Sequence, residues 1–168
     1  STTDTEVIVH LYEEYGEECV TRLRGMFAFG VWDERKKVLF LARDRVGIKP
    51  LYYINTGKAL LFASEIKSLL IDTSVEREVN LRAIDRFLTY YYLPGNEPLF
   101  KGIYKLEPGQ CLTISQGRIT KRQYWDLAFE TANQGTTIDE AVEALQNLLS
   151  RTVKDHMISD VPVGVLLS

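Results

Sequence analysis

At 168 residues, the chain is long enough for one ordinary domain, or for one domain and part of a second. An apolar share of 45% and a charged share of 26% are those of a globular protein, and a formal charge of −3 argues against nucleic acid, which needs a basic patch to displace counterions. No apolar run approaches the roughly 18 residues of a membrane span, and the opening STTDTEVIVH lacks the basic-then-apolar layout of a secretory signal.

Taken in chain order, Val7, Ile8, Leu11, Tyr12 and Tyr15 recur three and four apart, which predicts a helix over 4–15 closed by Gly16. A second short helix is expected over 17–24, ending at Gly25. MFAFGVWD and KVLFLARD, joined by ERKK, predict a hairpin. PLYYINTG and KALLFASE predict another, turning at Asn55-Thr56-Gly57. The four strands are expected to form one antiparallel meander with both faces covered. A short helix follows over 66–70. Asn80 is placed to cap the next, LRAIDRFLTYYY, with Ile84, Phe87, Leu88 and Tyr91 on one face. QCLTISQGRITKRQYW predicts a third hairpin, turning at Gln116-Gly117, and DLAFETANQG reads as a linker. Thr137 with Glu140 forms a capping box for a long helix whose stripe includes Ile138, Val142, Leu145, Leu149 and Val153. Val161–Leu167 reads as a strand, so helix and strand together open an α/β unit.

Cys19 falls in a helical stretch and Cys111 in an apolar strand. Without an export signal both are expected to be buried free thiols, in a cytoplasmic protein. His10 and His156 have no ligand-spaced partners, so no metal site is indicated. In an acidic chain Tyr52, Tyr53, Tyr90, Tyr91 and Tyr92 are expected to serve core and interface packing rather than base stacking. Arg43 and Asp44 are read as a structural pair that orders the RVGIKP turn, where Gly47 permits a tight backbone and Pro50 restricts what precedes it.

RGMFAFGVWDERKKVLFLARDRVGIKPLYY resembles the central part of a class II glutamine amidotransferase domain. LFASEIKSLL, FKGIYKLEPGQ and SDVPVGVLLS narrow the resemblance to glutamine-hydrolysing asparagine synthetases, over essentially the whole chain and in the right order. The fold class implied is α+β. It consists of an incomplete α/β/β/α sandwich of the N-terminal-nucleophile hydrolase type, followed by the first helix and strand of a parallel-sheet α/β domain. The implied boundaries are a partial glutaminase domain over 1–125, a linker over 126–136 and the start of an ATP-dependent synthetase domain over 137–168.

In that family an N-terminal cysteine attacks the glutamine amide, its α-amino group acts as base, and an Asn-Gly pair stabilises the oxyanion. Ammonia then passes to the second domain, where ATP and magnesium activate aspartate. The resemblance makes Asp4 a ligand of the glutamine α-amino group, and an ammonium in a narrow pocket does call for an acidic partner. The residue type alone equally suits a helix N-cap, a compatible role. Leu166 and Ser168 match nucleotide-contacting positions, Ser168 being the first residue of the family's Ser-Gly-Gly-x-Asp-Ser phosphate loop. The chain starts at Ser1 and supplies only Ser168 of that loop. It is therefore expected to hold no catalytic residue, to bind no ATP, magnesium or other cofactor unaided, and to be inactive alone. The intact protein would use glutamine, aspartate and ATP, and a homo-oligomer is compatible with this. The alternatives are a relative that forms lactams or amidates another carboxylate, and a non-catalytic binding domain.

Overall fold

A computed structural model of the chain describes residues 3–129 and 135–166. It divides into two compact units, Ser1–Asp126 and Leu127–Ser168.

In the first unit α1 (Asp4–Tyr15) has the predicted bounds. The next predicted helix is a single 3-10 turn, Gly16–Glu18, running into α2 (Cys19–Arg22). The hairpins follow as β1 (Ala28–Asp33) with β2 (Val38–Arg43), and β3 (Tyr52–Asn55) with β4 (Leu60–Ala63). Then come α3 (Ile66–Leu69) and α4 (Leu81–Tyr90), whose first turn is capped where Ala83 N–H donates to Asn80 Oδ1 at 3.3 Å. After the two-residue β5 (Tyr104–Lys105), β6 (Gln110–Ser115) and β7 (Arg118–Gln123) complete the unit. Gln116 and Gly117 both take positive φ, 50° and 75°. That is the two-residue turn whose twist matches a hairpin.

The expected single meander does not form. The strands lie in two antiparallel sheets, ordered β1-β2-β6-β7 and β4-β3-β5. β2 pairs with β1 and β6, not with β3, because residues 44–51 leave the first sheet and enter the second.

The alternation along β2 shows why two sheets are needed. Phe40 and Ala42 point to one face, where Tyr12, Cys19 and Val20 of the helical layer cover them together with Cys111. Leu41 points to the other face, where it meets Leu112 of its own sheet and Tyr53 of β3, with Leu51 and Leu106 filling the space. On the far side of the second sheet Ile54 packs with Leu69 of α3, Val75 and Ile103. The layers are therefore helix, sheet, sheet, helix. Each buried aliphatic or aromatic side chain contributes about 1.5–3 kcal/mol. Gly30 of β1 admits the close approach between the sheets: a Cβ there would lie 2.9 Å from both Leu41 and Phe62.

Both cysteines are buried and free, as expected, and they share the helix-facing core. Burial pushes the Cys19 thiol up to about 11 and also raises that of Cys111, so neither is a thiolate at neutral pH. Tyr53 is buried, but Tyr90, Tyr91 and Tyr92 are exposed, as are Phe87 and Leu88 of the face predicted for α4.

In the second unit α5 spans Ile138–His156 and carries the predicted capping box. Glu140 N–H donates to Thr137 Oγ1 at 3.3 Å, and Thr137 N–H donates to Glu140 Oε2 at 2.8 Å. Its apolar stripe is exposed, including Leu145, Leu149 and Val153. The strand expected over 161–167 is not present in its described part, Val161–Leu166, and Leu167 lies outside the described residues. Apolar β-branched side chains favour a sheet only where a ladder partner exists. No helix among the described residues is long and apolar enough to cross a membrane.

Candidate functional site

One end of the two-sheet stack brings together the start of β1, the end of β2, the start of β3 and the end of β4. A cavity of about 680 Å³ opens there. Four segments far apart in sequence line it: the first turn of α1, the stretch 23–29 entering β1, Lys49-Pro50 before β3, and Ser64 at the bend after β4.

Asp4 stands on this wall, contributed by the first helical turn. It is not the N-cap. Thr3 occupies that position, with no side-chain capping bond, so the capping role considered for Asp4 is set aside. The Asp4 carboxylate accepts a 3.3 Å hydrogen bond from Thr5 Oγ1 and sits where the positive end of the helix favours an anion. Among the described residues of the cavity lining, Asp4 is the one carboxylate, set against the cations Arg24 and Lys49 and the hydroxyls of Thr5 and Ser64. The remaining wall is apolar, with Phe27, Ala28 and Pro50 among its members. A small ligand carrying both an ammonium and a carboxylate complements such a surface.

The wall beside Lys49 is held by Arg43 and Asp44, which are both buried. Asp44 Oδ1 accepts from Ile48 N–H and Oδ2 from Lys49 N–H, each at 2.9 Å. Arg43 Nε donates to Lys49 O at 2.7 Å, one terminal nitrogen donates to Leu106 O at 2.6 Å, and the other to Gly47 O. Tyr124 Oη donates to Arg43 O at 2.7 Å. Burial lowers the Arg43 pKa, and the neighbouring Asp44 charge opposes that shift. The pair is structural. Every strong bond it makes goes to the backbone of the turn and its surroundings, which satisfies otherwise buried carbonyls and amides.

Leu166 belongs to the second unit, outside any helix or strand, and is fully exposed. Ser168 lies outside the described residues. Among the described residues no group of three or more His, Cys, Asp or Glu is arranged to hold a metal ion. Lys49, Arg24 and Ser64 were not singled out as site residues in the sequence. All three sit inside stretches that carried the resemblance, Arg24 opening RGMFAFG, Lys49 in VGIKP and Ser64 in FASE, and that was the available signal.

The sequence profile of the family described as glutamine amidotransferase domain matches residues 1–125. The chain belongs to this family. The chain is also 37% identical over 170 residues to asparagine synthetase [glutamine-hydrolyzing] 3 of Bacillus subtilis. That match takes in 99% of this chain and 27% of the relative. Asparagine synthetase [glutamine-hydrolyzing] 1 of the same organism is 38% identical over 167 residues, covering 99% of this chain and 26% of the relative. Amidase chry2 of Gibberella zeae is 37% identical over 169 residues, again 99% of this chain and 25% of the relative. The chain thus spans about a quarter of the length of these relatives. Among solved structures, glutamine phosphoribosylpyrophosphate amidotransferase from B. subtilis, complexed with ADP and GMP, is similar with a TM-score of 0.48 and 21% identity. The match covers 74% of this chain and 23% of that one.

Proposed function

We propose that this amidotransferase domain forms the later part of the glutaminase half of a glutamine-hydrolysing asparagine synthetase, with residues 137–168 opening the synthetase half. The observation that carries the proposal is end-to-end identity of 37–38% with two asparagine synthetases of that description, through the amidotransferase domain and beyond it. The intact protein would convert aspartate, glutamine and ATP to asparagine, glutamate, AMP and pyrophosphate. The sandwich would be of the N-terminal-nucleophile hydrolase type, which agrees with the helix, sheet, sheet, helix layering.

In this proposal Asp4 binds the α-ammonium of glutamine at the cavity wall, by a charge-assisted contact. The domain's part is binding and orientation: a pocket, walled by the first turn of α1, the entry to β1 and the chain before β3 and after β4, that holds the amide for attack. The nucleophile, its base and the oxyanion donors are not assigned to residues of this chain. ATP and magnesium would serve the synthetase half. Ser168 lies outside the described residues, and among those described no group of three or more His, Cys, Asp or Glu could hold the ion, so no step through either is derived from this chain.

Asp4→Ala in the complete gene product is the direct test of the glutamine role. Loss of one charge-assisted contact of about 1.5–3 kcal/mol should raise KM for glutamine about 10-fold to 100-fold. Ammonia-dependent asparagine formation should be unchanged. An unaltered KM for glutamine would remove Asp4 from the site.

A further inference from the structure

We propose that Tyr124 is a positioning residue for glutamine turnover, its hydroxyl fixing the cavity wall from outside the cavity by way of Arg43 and Asp44. This rests on the glutamine-binding role just proposed and concerns how the wall is held, not which groups touch the ligand. Tyr124 is not among the residues that line the cavity. Its ring packs against the helix-facing core, a place that a Phe ring of the same shape would fill. The hydroxyl does what Phe cannot: it donates to Arg43 O at 2.7 Å. The β2–β6 ladder ends one residue earlier, at Ala42 and Cys111, so Arg43 O takes its donor from a side chain rather than from a strand neighbour. The bond joins the end of β2 to the chain leaving β7 where strand pairing has stopped.

Two segments of the wall depend on the residues held in this way. Asp44 N–H donates to Phe27 O at 2.8 Å, and the Asp44 carboxylate accepts from Lys49 N–H at 2.9 Å. Arg43 Nε donates to Lys49 O at 2.7 Å. Phe27, Lys49 and the following Pro50 all line the cavity. Tyr124 is anchored in turn. Its N–H and that of Trp125 donate to Gly109 O at 2.8 and 3.2 Å, and Gly109 N–H donates to Asp44 O at 2.9 Å. Gln123 Nε2 adds bonds to Pro108 O and Trp125 O, at 2.9 and 2.6 Å. Arg43, Asp44, Gly109 and Tyr124 thus close a ring of hydrogen bonds that the hydroxyl completes. Without it the end of β2 loses its direct bond to the end of β7. A wall less ordered beforehand must be ordered by the arriving ligand, which weakens binding.

The test uses the complete gene product and three variants. Tyr124→Phe removes only the hydroxyl. It should raise KM for glutamine about 5-fold or more while kcat changes less than about 2-fold. Ammonia-dependent asparagine formation should be unchanged. Asn80→Ala, which removes the α4 cap and lies outside the cavity lining, is the control for lost stability. It should lower the melting temperature, as Tyr124→Phe does, and leave KM as in the wild type. Gln123→Ala loosens the same strand end from an exposed position and should raise KM in the same direction. It keeps the test decisive should Tyr124→Phe not fold. An unchanged KM in Tyr124→Phe, or in Gln123→Ala where only that variant folds, overturns the proposal. So does an equal KM rise in Asn80→Ala or a parallel loss of ammonia-dependent activity, since the hydroxyl would then act on stability alone. If the wild type hydrolyses glutamine and Tyr124→Phe is normal, only the positioning role fails. If the wild type hydrolyses no glutamine, the functional proposal fails with it.

Discussion

Arg43→Met is expected to destabilise the chain by about 3–5 kcal/mol, the cost of leaving three carbonyls without their charged donor, at about 1–3 kcal/mol for each one left buried and unpaired. The side chain is 3% exposed, and its three hydrogen bonds go to the carbonyls of Gly47, Lys49 and Leu106. Without the guanidinium these oxygens lose their donor. The fully buried Asp44 also loses its neighbouring cation. Arg43→Lys keeps the charge but not the planar fork, so it should recover only part of the loss, leaving a deficit of about 2 kcal/mol. Urea denaturation of the three proteins checks the order. A Met variant within about 0.5 kcal/mol of wild type would mean that the turn holds itself without the pair.

Gly109→Ala should be nearly as damaging, by about 2–4 kcal/mol, for a different reason. Gly109 has a φ of 65°, and a Cβ there would lie 2.3 Å from the backbone oxygen of Trp125. Backbone cannot swing aside as a side chain tip can, so the chain entering β6 must part from the chain leaving β7. That also strains the bond from Gly109 N–H to Asp44 O, at 2.9 Å, and the one from Tyr124 N–H to Gly109 O, at 2.8 Å. Gly117→Ala is the control. Its φ of 75° is similarly unfavourable, but nothing lies within 4 Å of the added Cβ. It should cost only the local strain of about 1 kcal/mol. Equal melting temperatures for the two variants would show that the clash at Gly109 is relieved by a small local shift.

The contrast between what was and was not legible in the sequence follows the range of the interactions. α1, α5 and the three hairpins are set by side-chain period, caps and turn residues a few positions apart, and all of them form as read. The Thr137–Glu140 capping box is a bond pattern within four residues, so the sequence nearly contains it. Which sheet β3 joins is not local. It depends on the Arg43–Asp44 knot bonding to residues as distant as Leu106, and the meander expectation failed there. β5 is two residues long and has no period to detect. Val161–Leu166 shows the opposite error: its hydropathy reports a preference for burial, whereas a strand also needs a paired backbone.

The candidate site divides the same way. Asp4 was reachable through the resemblance, and residue type alone left its role divided between cap and ligand. The structure places Thr3 at the cap and Asp4 on the cavity wall. Lys49, Arg24 and Ser64 become neighbours of one space only when α1, two strand entries and a strand exit meet at one end of the stack. No spacing rule joins positions 4, 24, 49 and 64. The Arg43–Asp44 pair was read as structural, and it is. The same pair also sets the cavity wall, so stability and ligand geometry meet in one turn.

The central claim is that the domain delivers glutamine nitrogen for asparagine synthesis. The measurement that tests it most directly supplies the complete gene product with aspartate, ATP, magnesium and glutamine carrying an isotopic label on its side-chain amide nitrogen. The account predicts label in the amide of asparagine, with AMP and pyrophosphate formed in step with glutamate. Glutamate release with no labelled asparagine, or label in the amide of a different carboxylate, would contradict it.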